Sequence, residues 1–222
     1  MNPENYFKNL GYPRGVIRDI DRYRYKIIFK YLLGKSILDV GAYYGDFLKM
    51  SMVKYKVYGT DVNSKRVELA NQKIGNNTVV IDFKDGKLHK FRDKSIDTVV
   101  CMEVIEHVYD DVRAIKELKR VARLRVIITL PFNEEILKEV CIHCGEETPR
   151  SGHLHSYNLD IINEIEKEIG IKFKKRFIGF RYNIINKVTF SLKNYYLISF
   201  LEKILHKLFK VEPKWLLLIM DI

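Results

Sequence analysis

The sequence predicts an α/β fold: a doubly wound sheet, mostly parallel, with helices on both faces. Three observations predict it. Short apolar, β-branched runs alternate with stretches of helical period, at residues 36–40, 56–60, 78–81, 96–102 and 124–130. Strands that alternate with helices need crossover connections, which make neighbouring strands parallel and the crossovers right-handed. The first strand ends in a carboxylate and a glycine, Asp39 and Gly41, with Gly45 four residues on. Acids recur where the other strands end, at Asp61, Asp82 and Glu103. In open α/β sheets ligands bind at the carboxyl ends of the strands, near the switch in strand order.

Residues 1–15 are polar, aromatic and turn-rich, without a clear period. Residues 16–33 place Ile17, Ile20, Tyr23, Ile27, Ile28, Tyr31 and Leu32 at helical spacing, and Gly34 stops the helix. The stretch 37–47 reads as a strand, a tight turn and a helix start. A glycine there lets the backbone approach a ligand, because no Cβ stands in the way. The helix that follows offers unpaired N–H groups at its start, and Phe47, Leu48 and Met52 form its inner side. The strand at 56–60 ends at Asp61. An acid roughly 20 residues after such a turn is placed to bond ribose hydroxyls.

Asn63 or Ser64 caps the next helix, which runs to Ile74. Residues 75–77 make a turn, and strand three closes at Asp82. Strand four is 96–102, with Cys101 a buried small hydrophobe. The helix at 110–122 has Val112, Ile115, Leu118 and Val121 as its stripe, and strand five follows at 124–130.

After Pro131 the pattern breaks. Residues 134–140 read as a short helix or loop. Cys141-Ile142-His143-Cys144-Gly145 comes next, then His153-Leu154-His155. Residues 158–169 form a helix with Ile161, Ile162, Ile165 and Ile169 inward, and 173–180 is strand six. Residues 186–210 are a long amphipathic helix. Leu197, Leu201, Ile204, Leu205 and Leu208 make its apolar face, and Lys203, His206, Lys207 and Lys210 its basic one. Residues 215–222 are the last strand.

Five pieces carry a resemblance: the turn LDVGAYYGDF, Asp61, the segment at 93–100, Glu103-Val104-Ile105-Glu106-His107-Val108, and the run at 125–131. Over residues 36–171 the chain resembles class I S-adenosylmethionine-dependent methyltransferases, nearest the branch with quinone-biosynthesis and many small-molecule methyltransferases. The resemblance implies a Rossmann-like sheet of seven strands whose last strand is antiparallel. It implies S-adenosylmethionine as cofactor, among Asp39, Gly41, Tyr43, Gly45, Asp61, Val62, Asp82, Phe83 and Glu103. Tyr43 stands where the family has its middle glycine, which narrows the turn. Asp82, with Asp85 as rival, is expected at the adenine amino group. Residues 1–15 are either a cap over the pocket, as in related enzymes, or a frayed end.

Two further constellations stand out. Glu103 and His107 follow strand four, on the side of the methyl acceptor. His107 is suited to taking a proton from an acceptor hydroxyl, since its unperturbed pKa is near neutrality. The other reading is that the Glu-His pair anchors its loop. Cys141, Cys144, His153 and His155 form a potential zinc set, because zinc takes four thiolate or imidazole ligands in a tetrahedron. A redox or unpaired cysteine pair and plain loop packing are the alternatives. His153 also fits a His-Leu-x-x-Tyr pattern that opens the penultimate helix in this branch, which would put it on the pocket rim.

At 222 residues and 47% apolar the chain builds one core. One domain is expected: cap and helix at 1–35, cofactor core at 36–131, Cys/His insertion at 132–157, and C-terminal helices and strands at 158–222. The chain shows no pattern for a signal peptide and no apolar run of the ~20 residues that span a membrane, so a cytoplasmic enzyme is expected. Three cysteines argue against a disulfide framework. The net charge of +11 is uneven: residues 171–222 hold 11 Lys and Arg against 3 Asp and Glu. Such a half meets nucleic acid or an anionic surface, or is a solvated basic face. The expected reaction is methyl transfer to an O, N or C atom of a small-molecule or lipid-like acceptor. A nucleic-acid methyltransferase is the alternative, although the Asn/Asp-Pro-Pro-Tyr/Phe motif of base amino-methylation is absent. A non-catalytic scaffold is the other.

Overall fold

The computed structural model describes residues 17–75, 78–80 (backbone only), 87–140, 145–181, 194–208 and 210–222. Chain order is α1 (Asp19–Phe29), β1 (Ser36–Val40), α2 (Asp46–Ser51), β2 (Lys56–Asp61), α3 (Ser64–Ile74), β3 (Thr78–Val80) and β4 (Ile96–Met102). Then come α4 (Asp111–Val121), β5 (Ala122–Pro131), β6 (Lys138–Val140), β7 (Glu147–Pro149), α5 (Leu159–Ile169), β8 (Lys174–Phe180), α6 (Tyr195–Leu208) and β9 (Pro213–Asp221). A 3₁₀ turn, Ile105–His107, links β4 to α4.

Seven strands form one sheet in the order β3-β2-β1-β4-β5-β9-β8. β9 is antiparallel to both its neighbours, and the other described pairs are parallel. The expected Rossmann-like architecture is present. Strand order reverses between β1 and β4, so the crevice lies between the ends of those two strands.

The sheet is buried on both faces, which is why its strands read as continuous apolar runs. In β9, Leu216, Leu218 and Met220 join one core cluster, while Trp215, Leu217 and Ile219 join the other. β5 divides the same way, Val126, Ile128 and Leu130 against Ile127. α4 and α5 cover the first face, and α1 and α6 contribute to the second.

Caps explain several helix limits. The side chains of Asn63, Asp110 and Asn158 accept N–H bonds from Arg66, Arg113 and Ile161, three residues into α3, α4 and α5.

Some expectations are corrected. The first helix is shorter than 16–33 within the described residues, ending at Phe29 with Gly34 at φ +77° in the turn beyond. Residues 138–140 are a strand paired with 147–149, not a helix or loop. Met52 and Ile161 lie toward solvent. α6 turns in Ile198 and Glu202, leaving Leu197 and Leu208 exposed. The reason is polar: Glu202 accepts hydrogen bonds from Tyr23 Oη (2.6 Å) and Gly179 N (2.6 Å), and these draw that side of the helix inward. Residues 1–16, 81–86 and 182–193 lie outside the described residues, and with them the expected cap, Asp82, Phe83 and Asp85.

Candidate active site

The β1 side is built by one local turn. Asp39 is 1% exposed, and its Oδ1 has no hydrogen-bond partner among the described residues. Burial pushes its pKa up to about 8; Arg24 opposes that shift and Asp61 adds to it. Gly41 and Ala42 donate their N–H groups to Thr60 O at 2.9 and 2.8 Å. Gly41 has φ +79°, and a Cβ there would stand 2.2 Å from Val104 Cγ2. Gly45 is the N-cap of α2 at φ +74°, where a Cβ would meet Ala70 Cβ at 3.0 Å.

Tyr43 adopts the glycine conformation, φ 51°. For an L-residue that costs about 1–2 kcal/mol. The residue is 39% exposed, and its ring centre lies 4.7 Å from the Arg66 guanidinium. Its N–H donates to Asp61 Oδ2 at 3.0 Å, and Asn63 N donates to Asp61 Oδ1 at 2.9 Å. Asp61 thus clamps the turn from the end of β2. Burial raises its pKa, and those N–H groups and Arg66 oppose the rise. Val62 packs half-buried against the core.

The β4 side is assembled from distant segments. Glu103 follows β4 at φ 54°. Its Oε2 accepts from Trp215 Nε1 (2.5 Å) and its Oε1 from Thr129 Oγ1 (3.2 Å), with Arg24 Nη1 3.5 Å away. The Arg24 guanidinium sits 4.2 Å from the Trp215 ring centre. Burial raises the Glu103 pKa against the pull of Arg24.

Glu106 is 0% exposed, and neither carboxylate oxygen has a hydrogen-bond partner among the described residues. Burial, and then the charge of Glu103, hold its pKa well above the usual range. His107 Nδ1 donates to Gly152 O at 3.0 Å, and burial pushes its pKa down to about 4, so the ring is neutral. His153 Nδ1 donates to Glu134 Oε2 at 2.5 Å, and the two imidazole centres are 4.6 Å apart. Glu106, His107 and His153 each offer a metal-ligand atom within 4.8 Å of the others.

His155 is placed differently: its Nε2 donates to Val108 O at 2.8 Å. Cys141 and Cys144 lie outside the described residues.

Arg24, Trp215, Thr129 and Glu134 were not among the expected site residues. Arg24 carried a signal, since it falls at i+4 from Ile20 and i−4 from Ile28 on the buried stripe of α1. Trp215 carried none, because β9 meets β4's loop only through the tertiary fold.

Residues 38–128 match the family model of a methyltransferase domain. Solved structures share the fold. An S-adenosylmethionine-dependent methyltransferase from Archaeoglobus fulgidus is 17% identical, covering 99% of this chain and 97% of its own, at TM-score 0.63. One from Mesorhizobium loti is 13% identical, covering 90% and 98%, at TM-score 0.64. Phosphoethanolamine N-methyltransferase 2 from Haemonchus contortus, in complex with S-adenosyl-L-methionine, is 17% identical, covering 100% of this chain and 60% of its own, at TM-score 0.64. Among curated proteins no sequence matches.

Proposed function

We propose that this chain, whose residues 38–128 match the family model of a methyltransferase domain, transfers a methyl group from S-adenosylmethionine to an O, N or C atom of a small-molecule or lipid-like acceptor. The observation that carries the reading is Asp39: a buried carboxylate with an unanswered oxygen at the switch crevice, beside a glycine that has no room for a Cβ. These residues fit a cationic nucleoside cofactor. S-adenosylmethionine supplies a methyl group already activated by a positive sulfur, so the protein contributes proximity and alignment.

Asp39 answers the cofactor's positive charge. Gly41 lets the backbone come close. Asp61 retains acceptor capacity for ribose hydroxyls while it holds the Tyr43 and Asn63 N–H groups. Val62 belongs to the nucleoside side, and the sequence assigns Asp82 and Phe83, outside the described residues, to the same role. Glu103, fixed by Trp215, Thr129 and Arg24, orients the acceptor side. The lipid-like part of the reading is supported by α6, where Tyr196 and Phe200 are 83% and 60% exposed beside Lys203 and Lys207.

Calorimetry with S-adenosylmethionine and its demethylated product should give micromolar binding, on the order of −7 to −8 kcal/mol. No heat with either ligand overturns the cofactor assignment. Methyl-labelled cofactor should then label small hydroxyl, amine or lipid acceptors. Label passing to RNA alone overturns the acceptor class.

A further inference from the structure

We propose that the outer face of α1 and α6 docks this protein on an anionic lipid bilayer. The two helices lie side by side on one face of the sheet. Tyr23 of α1 stacks on Tyr195 of α6, with ring centres 5.9 Å apart, and its hydroxyl donates to Glu202 at 2.6 Å. Their inner residues, Ile20, Ile27, Ile28 and Ile198, fill the core beneath. What the pair presents outward is of two kinds, apolar and basic.

The apolar part is on α6. Tyr196 and Phe200 are one turn apart, Leu197 and Leu208 lie on the adjacent stripe, and all four are exposed. The basic part comes from both helices. Lys203 and Lys207 continue the stripe of Tyr196 and Phe200. Arg22, Lys26 and Lys30 recur every fourth residue along α1 and its C-cap. That stripe flanks α6, because Lys26 Nζ lies 3.4 Å from the centre of the Tyr195 ring and Lys30 Nζ 5.3 Å from that of Tyr196. All five cations are exposed, and no carboxylate among the described residues pairs with any of them. From Arg22 to Lys30 the chain has no acid, and the acid of α6, Glu202, is buried.

Charge and apolar side chains together select the occupant. A helix that carries lysines beside aromatic and leucine side chains lies in the plane of a bilayer interface, with its apolar atoms at the boundary of headgroups and acyl chains. Tyrosine favours that depth, and lysine stems reach from it to the lipid phosphates. RNA would use the cations and stack on the aromatic rings, but it offers no apolar phase to Leu197 and Leu208. A second copy of this chain would set cations against cations.

The placement gives a use. β5 and β8 are both antiparallel to β9, so they run the same way, and Phe180 stands at the end of the sheet that carries the crevice. The His206 ring, near the end of α6, has its centre 5.0 Å from that of Phe180. The docking helix therefore ends at the crevice edge, and a lipid-like acceptor would enter from the surface on which the protein sits. That use rests on the proposed methyl transfer; the docking surface rests on its own residues.

The test sediments the full-length protein with vesicles of phosphatidylcholine, with and without phosphatidylglycerol. Affinity for S-adenosylmethionine is measured by calorimetry on the same samples. Binding should be about tenfold stronger or more with the anionic lipid, and should weaken as salt rises. A lysine near such a surface contributes about fivefold, so Lys203→Gln/Lys207→Gln should weaken binding about 25-fold. Phe200→Ser should weaken it about tenfold and keep the salt dependence. These side chains are exposed, so neither the unfolding temperature nor cofactor affinity should move. Equal binding to both vesicles, or binding that survives either variant, overturns the surface. No vesicle binding also overturns it, in favour of RNA if an RNA oligonucleotide binds instead, or of a second copy if light scattering shows a dimer that Phe200→Ser dissolves. Cofactor binding kept by a protein that fails to dock leaves the methyltransferase reading standing, and docking without cofactor binding leaves the surface standing.

Discussion

The two sides of the crevice are made in opposite ways. On the β1 side, Asp39, Gly41, Tyr43 and Asp61 lie within one strand-helix-strand unit, and backbone N–H groups hold them. On the β4 side, Glu103 depends on Arg24 from α1, Thr129 from β5 and Trp215 from β9, while His107 and His153 meet across the chain. The β1 side is therefore a property of a local turn. The β4 side is a property of tertiary packing, and it is free to vary without disturbing the turn.

Gly41→Ala should strike the local side hardest. The new Cβ meets Val104 Cγ2 at 2.2 Å, and φ stays at +79°. Strain and overpacking together predict a loss of about 3 kcal/mol in urea unfolding, with cofactor binding lost. Adding Val104→Ala should recover the overpacking part; no recovery would mean the backbone angle alone sets the cost.

Trp215→Phe should strike only the tertiary side. It removes the donor to Glu103 Oε2 while keeping a ring, and should cost about 1–3 kcal/mol. Cofactor affinity measured by calorimetry should hold while kcat/KM for the acceptor falls. A parallel loss of cofactor affinity would show that the two sides are not separable.

Asp39 allows a pH test. Its pKa is raised from 3.8 to about 8 in the folded protein, so folding takes up a proton between those values. Its contribution to stability therefore falls as pH rises from about 4 to about 8. Binding of a cation needs the ionised form. Cofactor affinity should tighten up to tenfold per pH unit, about 1.4 kcal/mol, and level off near pH 8. Asp39→Asn should flatten that slope and leave binding weak throughout.

Tyr43→Gly should have the smallest effect. Glycine meets φ 51° without strain, but the ring's contact with Arg66 is lost and the unfolded chain gains freedom. A net change below about 1 kcal/mol in thermal unfolding is expected. A larger loss would make the tyrosine ring a structural part of the turn.

The same contrast governs what was legible. The ends of β1, β2 and β4, the glycine turn and the Asn63 cap are contiguous signals, and each lies where the sequence puts it. The β6–β7 ribbon was missed because three-residue strands are too short to show a period. The inner face of α6 differs from the leucine face that the spacing predicts, because a glutamate, not a leucine, is what the neighbouring elements bind. Glu202 is drawn in by donors on Tyr23 and Gly179, two elements that no local pattern connects to it. Arg24 has a place on the buried stripe of α1, but no local pattern pairs it with Glu103 and Trp215, which come from distant segments.

The position of β9 has a consequence for synthesis. It lies between β5 and β8 in space but follows both in sequence. While the ribosome is still making residues 213–221, β5 presents a full row of unpaired backbone groups, and its apolar side chains have only part of their cover. An open, apolar strand edge is a template for the wrong partner. Glu103 also waits for its indole donor until Trp215 has been added. The β4 side thus matures last, and a nascent chain that can already close the turn after β1 cannot yet shape the other half of the crevice.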